Sequence, residues 1–195
     1  MPSSPLICVT DANIWIDVHN GDLVTKTFLL PFQFVAPDLV IEELESPDAN
    51  LLMQQGLQMS ELDSDDVIEL AILAEQYPRR QVSMNDLAAL VLAKKLGVML
   101  LTNERQLRRI ARSHHLQVHG TLWLLDEMIR LQIISRPNAA VGLQKMLNRG
   151  ARLPKGECEI RLRLWLVIVY FKKKFTNLIS PSLLHQPSEL PNSFV

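Results

Sequence analysis

The chain has 195 residues, 48% hydrophobic and 21% charged, enough for one domain with a buried core and too apolar for wholesale disorder. Twenty basic against twenty-one acidic side chains leave a net charge of -1, which excludes a polycation gripping nucleic acid by bulk charge, so any basic footprint is local. Cys8 and Cys158 stand far apart with no CxxC pair, which argues against a disulfide framework or zinc knuckle and fits a reducing, cytoplasmic compartment.

The opening Met1-Pro2-Ser3-Ser4-Pro5 has no basic region and does not read as a signal peptide. Leu6-Ile7-Cys8-Val9 predicts a buried strand ending at Thr10-Asp11. Residues 23–32 suggest a helix stopped near Pro31, and Phe34-Val35-Ala36 a second strand. After Pro37-Asp38 the spacing of Leu39, Val40, Glu43 and Leu44 is helical. Residues 46–56 carry no clear pattern. Ser64-Asp65-Asp66 before Val67-Ile68 is a helix start, with a polar cap and acids at the positive end of the dipole, and Tyr77-Pro78 is its stop.

The middle of the chain is more regular. Residues 83–96 predict a helix of good formers closed by Gly97, and Val98-Met99-Leu100-Leu101 a strand ending at Thr102. A basic helix over 104–114, a short strand at Leu116-Gln117-Val118 and an apolar helix from Gly120-Thr121 towards Leu131 follow. Alternating strands and helices with short loops call for an α/β fold, a parallel sheet with helices on both faces. Pro137 starts one more helix to about Asn148. From Gly150 the character shifts. A last helix is expected over 152–165, and 175–195, with Pro181, Pro187 and Pro191 among polar residues, reads as a loosely ordered tail. The division expected is therefore 1–150 and a C-terminal helix and extension, 151–195. The apolar run 164–171, followed by Lys172, Lys173 and Lys174, is too short for a membrane-spanning helix and reads as a buried strand or helix end; no integral membrane span is expected.

Four acids stand out by position: Asp11 after the first strand, Glu43 on the helix after the second, Asp86 opening the central helix, and Glu104 after the Val98–Leu101 strand. In a parallel sheet the carboxyl ends of the strands share one edge, where ligands bind, so Asp11 and Glu104 are expected on one side, with Asp86 joining if its helix start faces the crevice. Clustered carboxylates repel unless a cation resolves them, and oxygen donors suit Mg²⁺ or Mn²⁺, which points to metal-dependent phosphoryl transfer. Each acid also has a structural reading. Ser83-Met84-Asn85-Asp86 fits a capping box, Asp11-Ala12-Asn13 a turn or cap, Glu104 a dipole partner, and Glu43, beside Glu42 and Glu45, a solvated face.

Together these segments resemble the PIN-domain family, in particular VapC-type ribonuclease toxins and their relatives. The resemblance covers roughly residues 6–131 and rests on the strand ending in Asp11-Ala12-Asn13, on Pro37-Asp38-Leu39-Val40-Ile41-Glu42-Glu43-Leu44, on Ser83-Met84-Asn85-Asp86-Leu87-Ala88-Ala89-Leu90, on Leu100-Leu101-Thr102-Asn103-Glu104-Arg105-Gln106-Leu107, and on Gly120-Thr121. It implies a three-layer α/β/α fold with a central parallel sheet of four to five strands. It also implies a metal-dependent endoribonuclease leaving a 5′-phosphate, with Asp11, Glu43, Asp86 and Glu104 catalytic. Asp11, Asp86 and Glu104 would hold Mg²⁺ or Mn²⁺, and Glu43 would bind metal or position the attacking water. The fourth family acid is usually Asp, so Glu104 departs from the pattern by one methylene. Asn13 and Thr102 match polar positions that order the site. The family further implies an RNA substrate, a homodimer, and a small antitoxin partner whose tail blocks the acidic cleft.

Arg105, Arg108, Arg109 and Arg112 recur three to four apart on the helix after Glu104 and form one stripe. It reads either as an RNA phosphate track, with Arg105, Arg108 and Arg109 nearest the acids, or as a solvated face. His114, His115 and His119 are not expected to share a helix face, because the helix should end between His115 and His119. Trp15 and Trp123 are read as packing residues or dimer contacts. Two alternatives to the nuclease remain. One is a catalytically degraded PIN-like module that binds a protein or RNA partner. The other is a haloacid-dehalogenase-type phosphatase, which wants a second Asp where Asn13 stands.

Overall fold

The computed structural model describes residues 6–78 and 80–176. Five short strands, β1 (Leu6–Thr10), β2 (Phe32–Pro37), β3 (Gln58–Ser60), β4 (Met99–Leu101) and β5 (Val118–His119), form one all-parallel sheet in the order β3-β2-β1-β4-β5. Helices cover both faces, giving the expected α/β/α architecture. β1 is central, pairing Val9 with Val35 on one side and Leu100 on the other. The order runs one way from β1 to β3 and the other way from β4 to β5, so the switch point lies between β1 and β4.

The continuous apolar character of Cys8-Val9 and Leu100-Leu101 follows from burial on both faces. Helix α6 (Met84–Leu96) is apolar all round from Leu87 to Ala93 because it packs against the sheet on one side and α5 (Ser64–Gln76) on the other. Gly97, at φ 64°, ends α6 in the left-handed conformation that glycine adopts without strain. Helix α5 begins at Ser64, so its cap lies one residue before the expected one. Asp63, not Ser64, caps it and forms a reciprocal box with Asp66.

Several elements differ from expectation. The helix expected over 23–32 shrinks to α2 (Val24–Thr27), since Phe32 is already the first residue of β2. Helix α3 (Asp38–Glu43) follows β2 directly. The patternless stretch holds α4 (Ala49–Gln55), started by the Asp48 carboxylate on the amides of Asn50 and Leu51. Strand β3 had no sequence signal. It is three residues long, lies at an edge, and shows only Gln33 reaching Gln58 across the pair. Helix α1 (Ala12–Asn20) starts directly after β1, where only a turn or cap was read. It buries Trp15, which stacks on Phe28 at 5.0 Å and donates to the Thr10 hydroxyl at 2.8 Å, so Trp15 is a packing residue.

Helices α7 (Arg105–Ser113), α8 (Thr121–Arg130) and α9 (Arg136–Asn148) fall where expected, and α7 ends before His115, leaving His119 on β5. The last helix, α10 (Lys155–Thr176), is longer than predicted and runs through the apolar segment 164–171 as helix, not strand. It packs on α9 and buries Cys158 and Trp165 in the common core. The tail expected beyond Thr176 lies outside the described residues. Among the described residues no helix is long and apolar enough to cross a membrane.

Candidate active site

The carboxyl ends of β1 and β4 flank the switch point, and the residues that follow them are joined there. Asp11 caps α1, its Oδ1 accepting the Ile14 amide at 3.1 Å, while its own amide donates to the Leu101 carbonyl. Its Oδ2 accepts from the Thr102 hydroxyl. That hydroxyl oxygen in turn accepts the Glu104 amide at 3.0 Å. Glu104 caps α7 through the Gln106 amide. Thr102 is fully buried and its hydroxyl is spent inside the protein, so it orders the two acids.

Asp86 opens α6 in the expected capping box. Its carboxylate accepts the Ser83 amide at 3.1 Å and its amide donates to the Ser83 hydroxyl at 3.0 Å. Glu43, at the end of α3, is exposed and accepts from the Asn85 amide group at 2.8 Å, so the residue preceding Asp86 ties α3 to the start of α6.

Asp86 is the acid that the other three repel or are repelled by. Burial pushes the Asp11 carboxyl up to about 7, against the lowering bond from Thr102, with repulsion from Asp86 and Asp17 adding to the rise. The Asp86 carboxyl is raised by burial, partly offset by its bonds to Ser83, and raised further by repulsion from Glu104 and Glu43. Asp86 thus lies within reach of the other three. Among the described residues no Lys or Arg forms an ion pair with any of the four.

The donors are all carboxylate oxygens, the set that hard divalent cations take, and their unpaired mutual repulsion is what such a cation relieves. In donor chemistry and charge the four side chains suit a divalent cation. Each carboxylate is meanwhile committed to a neutral donor, and among the described residues no three His, Cys, Asp or Glu side chains close into a ready-made cage.

A cavity of about 290 Å³ opens beside Glu104, lined also by Asn13, Asp17, Asn103, Arg149 and Arg152. Asn13 is exposed on the first turn of α1. Asp17, which the sequence did not single out, is buried with no cationic partner among the described residues and accepts from Asn103 at 2.7 Å and Thr121 at 2.9 Å. Burial raises its carboxyl to about 6. The signal available was its spacing: Asp17 lies six residues after Asp11, on the same helix. Asn103 accepts the Thr121 amide at 3.1 Å and donates to the Thr121 hydroxyl at 2.7 Å, locking the Thr102–Glu104 turn to the start of α8. Gly120 is required there, because a Cβ on it would lie 2.4 Å from Asn103 Oδ1.

The arginine stripe divides. Arg108 and Arg112 line one cavity, Arg109 donates to Gln106 and lines another beside Tyr77, and Arg105 is exposed. Trp123 is sandwiched between His119 at 4.2 Å and Phe32 at 5.6 Å.

A family model described as a PIN domain matches residues 7–166, and no curated protein matches the chain. The match spans most of the chain and takes in α10 as far as Leu166. PIN domains are generally nucleases that typically use divalent metal ions. The chain belongs to the PIN-domain family.

Proposed function

We propose that the protein is a metal-dependent endoribonuclease, the toxin of a type II toxin–antitoxin pair, working with Mg²⁺ or Mn²⁺. The observation that carries this reading is the unpaired acid cluster: Asp86 is repelled by Glu104 and Glu43, and Asp11 by Asp86, at the switch point between β1 and β4. Asp11, Asp86 and Glu104 would hold the ion, which would supply an activated water and charge neutralisation on the phosphodiester. Glu43, pinned by Asn85, orients the attacking water. Thr102 fixes Asp11 relative to Glu104, while Asn13, Arg105, Arg108 and Arg109 meet the RNA. A homodimer, a small antitoxin that enters the acidic cleft, and a cytoplasmic location complete the reading.

Purified protein incubated with single-stranded RNA and Mn²⁺ should cleave it, and the double variant Asp11→Asn/Asp86→Asn should not. Equal cleavage by both proteins overturns the proposal. A second reading, a PIN-like module without activity, is favoured by one observation, the commitment of every acid to a structural hydrogen bond. Calorimetry separates the two: absence of Mn²⁺ heat together with an unchanged melting temperature selects the module.

A further inference from the structure

We propose that the cavity between α7, the start of α8 and α10 is a subsite for a backbone phosphate of the RNA, formed by Arg108, Arg112 and Arg161 around His119. The proposal rests on the ribonuclease reading and adds a site to it. The cavity has a volume of about 290 Å³, and Asn103 lines both it and the cavity beside Glu104, so the two open on either side of one residue.

Three guanidinium groups face this cavity against one lining carboxylate, Glu157. Arg161 is neutralised by Asp126 at 2.8 Å and by Glu157 at 3.2 Å. Arg108 and Arg112 form no ion pair among the described residues. Glu157 and Asp11 attract Arg108 without pairing with it, so among the described residues neither guanidinium is held by a contact carboxylate and both are open to an added anion. Guanidinium forks match a phosphate's oxygens, which makes arginine the usual side chain for that recognition.

The cavity is built, not merely basic. Arg108 is half-buried and aimed by its bond to the Thr102 carbonyl at 2.8 Å. His119 is fixed on the three-ring stack with Trp123 and Phe32. Both Arg108 and His119 are held below their ordinary values by burial, with repulsion from Arg112 on Arg108 and from Arg108 and Arg112 on His119 adding to it, against attraction from Glu157 and Asp11 on Arg108 and from Glu127 on His119. The wall also includes Gly120 and Leu122 at the start of α8, where the cap residue Gly120 has no side chain and Asn103 takes the Thr121 amide, so the positive dipole end adds to the basic character of the cavity. Arg108 additionally feels the charge of Asp11, which links this cavity electrostatically to the acids.

The test is fluorescence anisotropy with a labelled single-stranded RNA 12-mer in EDTA over a range of salt. It compares the wild type with Arg112→Gln and, as a control on α9, Arg136→Gln. Arg112 is exposed, so its substitution leaves the fold intact. The expected result is binding weakened about 5–10-fold by Arg112→Gln, with the slope of log affinity against log salt reduced by about 0.7, and no change for Arg136→Gln. An Arg112→Gln protein that binds RNA as the wild type does, while the wild type cleaves RNA, overturns the subsite and leaves the nuclease reading standing. A wild type that neither binds nor cleaves RNA overturns both. An Arg112→Gln protein that keeps RNA binding but loses affinity for an acidic peptide assigns the cavity to a protein partner, and also overturns the proposal.

Discussion

The hydroxyl of Thr102 donates to Asp11 while accepting the amide of Glu104 at 3.0 Å, so one buried oxygen sets the separation of two acids from different strands' ends. Thr102→Val, nearly the same shape, leaves both groups unsatisfied. We expect a loss of about 2–3 kcal/mol in chemical denaturation. The Asp11 carboxyl, deprived of a lowering bond, should rise further, moving the acid limb of any metal-supported activity to higher pH. Thr102→Ser should restore both.

The Asp11 carboxyl lies near 7, so below neutral pH it carries a proton that a metal must displace. Affinity for Mn²⁺ should therefore rise with pH and level off above about 7, falling up to about 10-fold per unit below it. Calorimetric titration at pH 6 and pH 8 checks this; equal affinities contradict it.

Asp17 has its carboxyl raised from 3.8 to about 6. An acid raised by folding binds more protons in the native state between those values, so stability falls as pH climbs from about 4 to about 6 and is constant above. The penalty is on the order of 3 kcal/mol at neutral pH. Asp17→Asn keeps an oxygen for Asn103 and Thr121, so it should stabilise the protein at pH 7.5 and change little at pH 3.5. Denaturant midpoints at the two pH values measure the difference.

A methyl group on Gly120 would meet Asn103 Oδ1 at 2.4 Å and the Thr102 carbonyl at 3.2 Å. Gly120→Ala should cost about 1–3 kcal/mol and reduce cleavage, because Asn103 holds the turn between Thr102 and Glu104. Asn103→Ala removes the nearer obstacle, so the double variant should lose less stability than the two single losses added together.

Glu104→Asp shortens the arm by one methylene and keeps a capping carboxylate at the start of α7. Mg²⁺ is strict about octahedral geometry. We expect the ratio of Mg²⁺-supported to Mn²⁺-supported RNA cleavage to increase in the variant; an unchanged ratio shows that arm length does not limit the site.

The fold was most legible where burial is complete. The apolar strands around Cys8-Val9 and Leu100-Leu101, and the helix from Met84 closed by Gly97, leave strong one-dimensional signals because packing on every side admits only apolar side chains there. Edge and short elements were not legible: β3 draws its place from pairing with β2, and α2 yields to a strand that begins at Phe32. Each of the four acids had two readings in the sequence. The structure keeps the hydrogen-bonding ones for Asp11, Asp86 and Glu104, and adds a mutual repulsion that only three-dimensional proximity reveals. Asp17 stayed hidden because its partners, Asn103 and Thr121, lie 86 and 104 positions away.

The sharing of atoms between scaffold and chemistry bears on how such chains diverge. If the proposed nuclease activity holds, a descendant that lost it would still be under selection to retain Asp11, Asp86 and Glu104, since each helps to start a helix. Glu43 begins none and is exposed, its side chain joined among the described residues only to Asn85. Erosion after loss of catalysis should strike that position first, which makes it the marker by which living and silent members of the lineage separate.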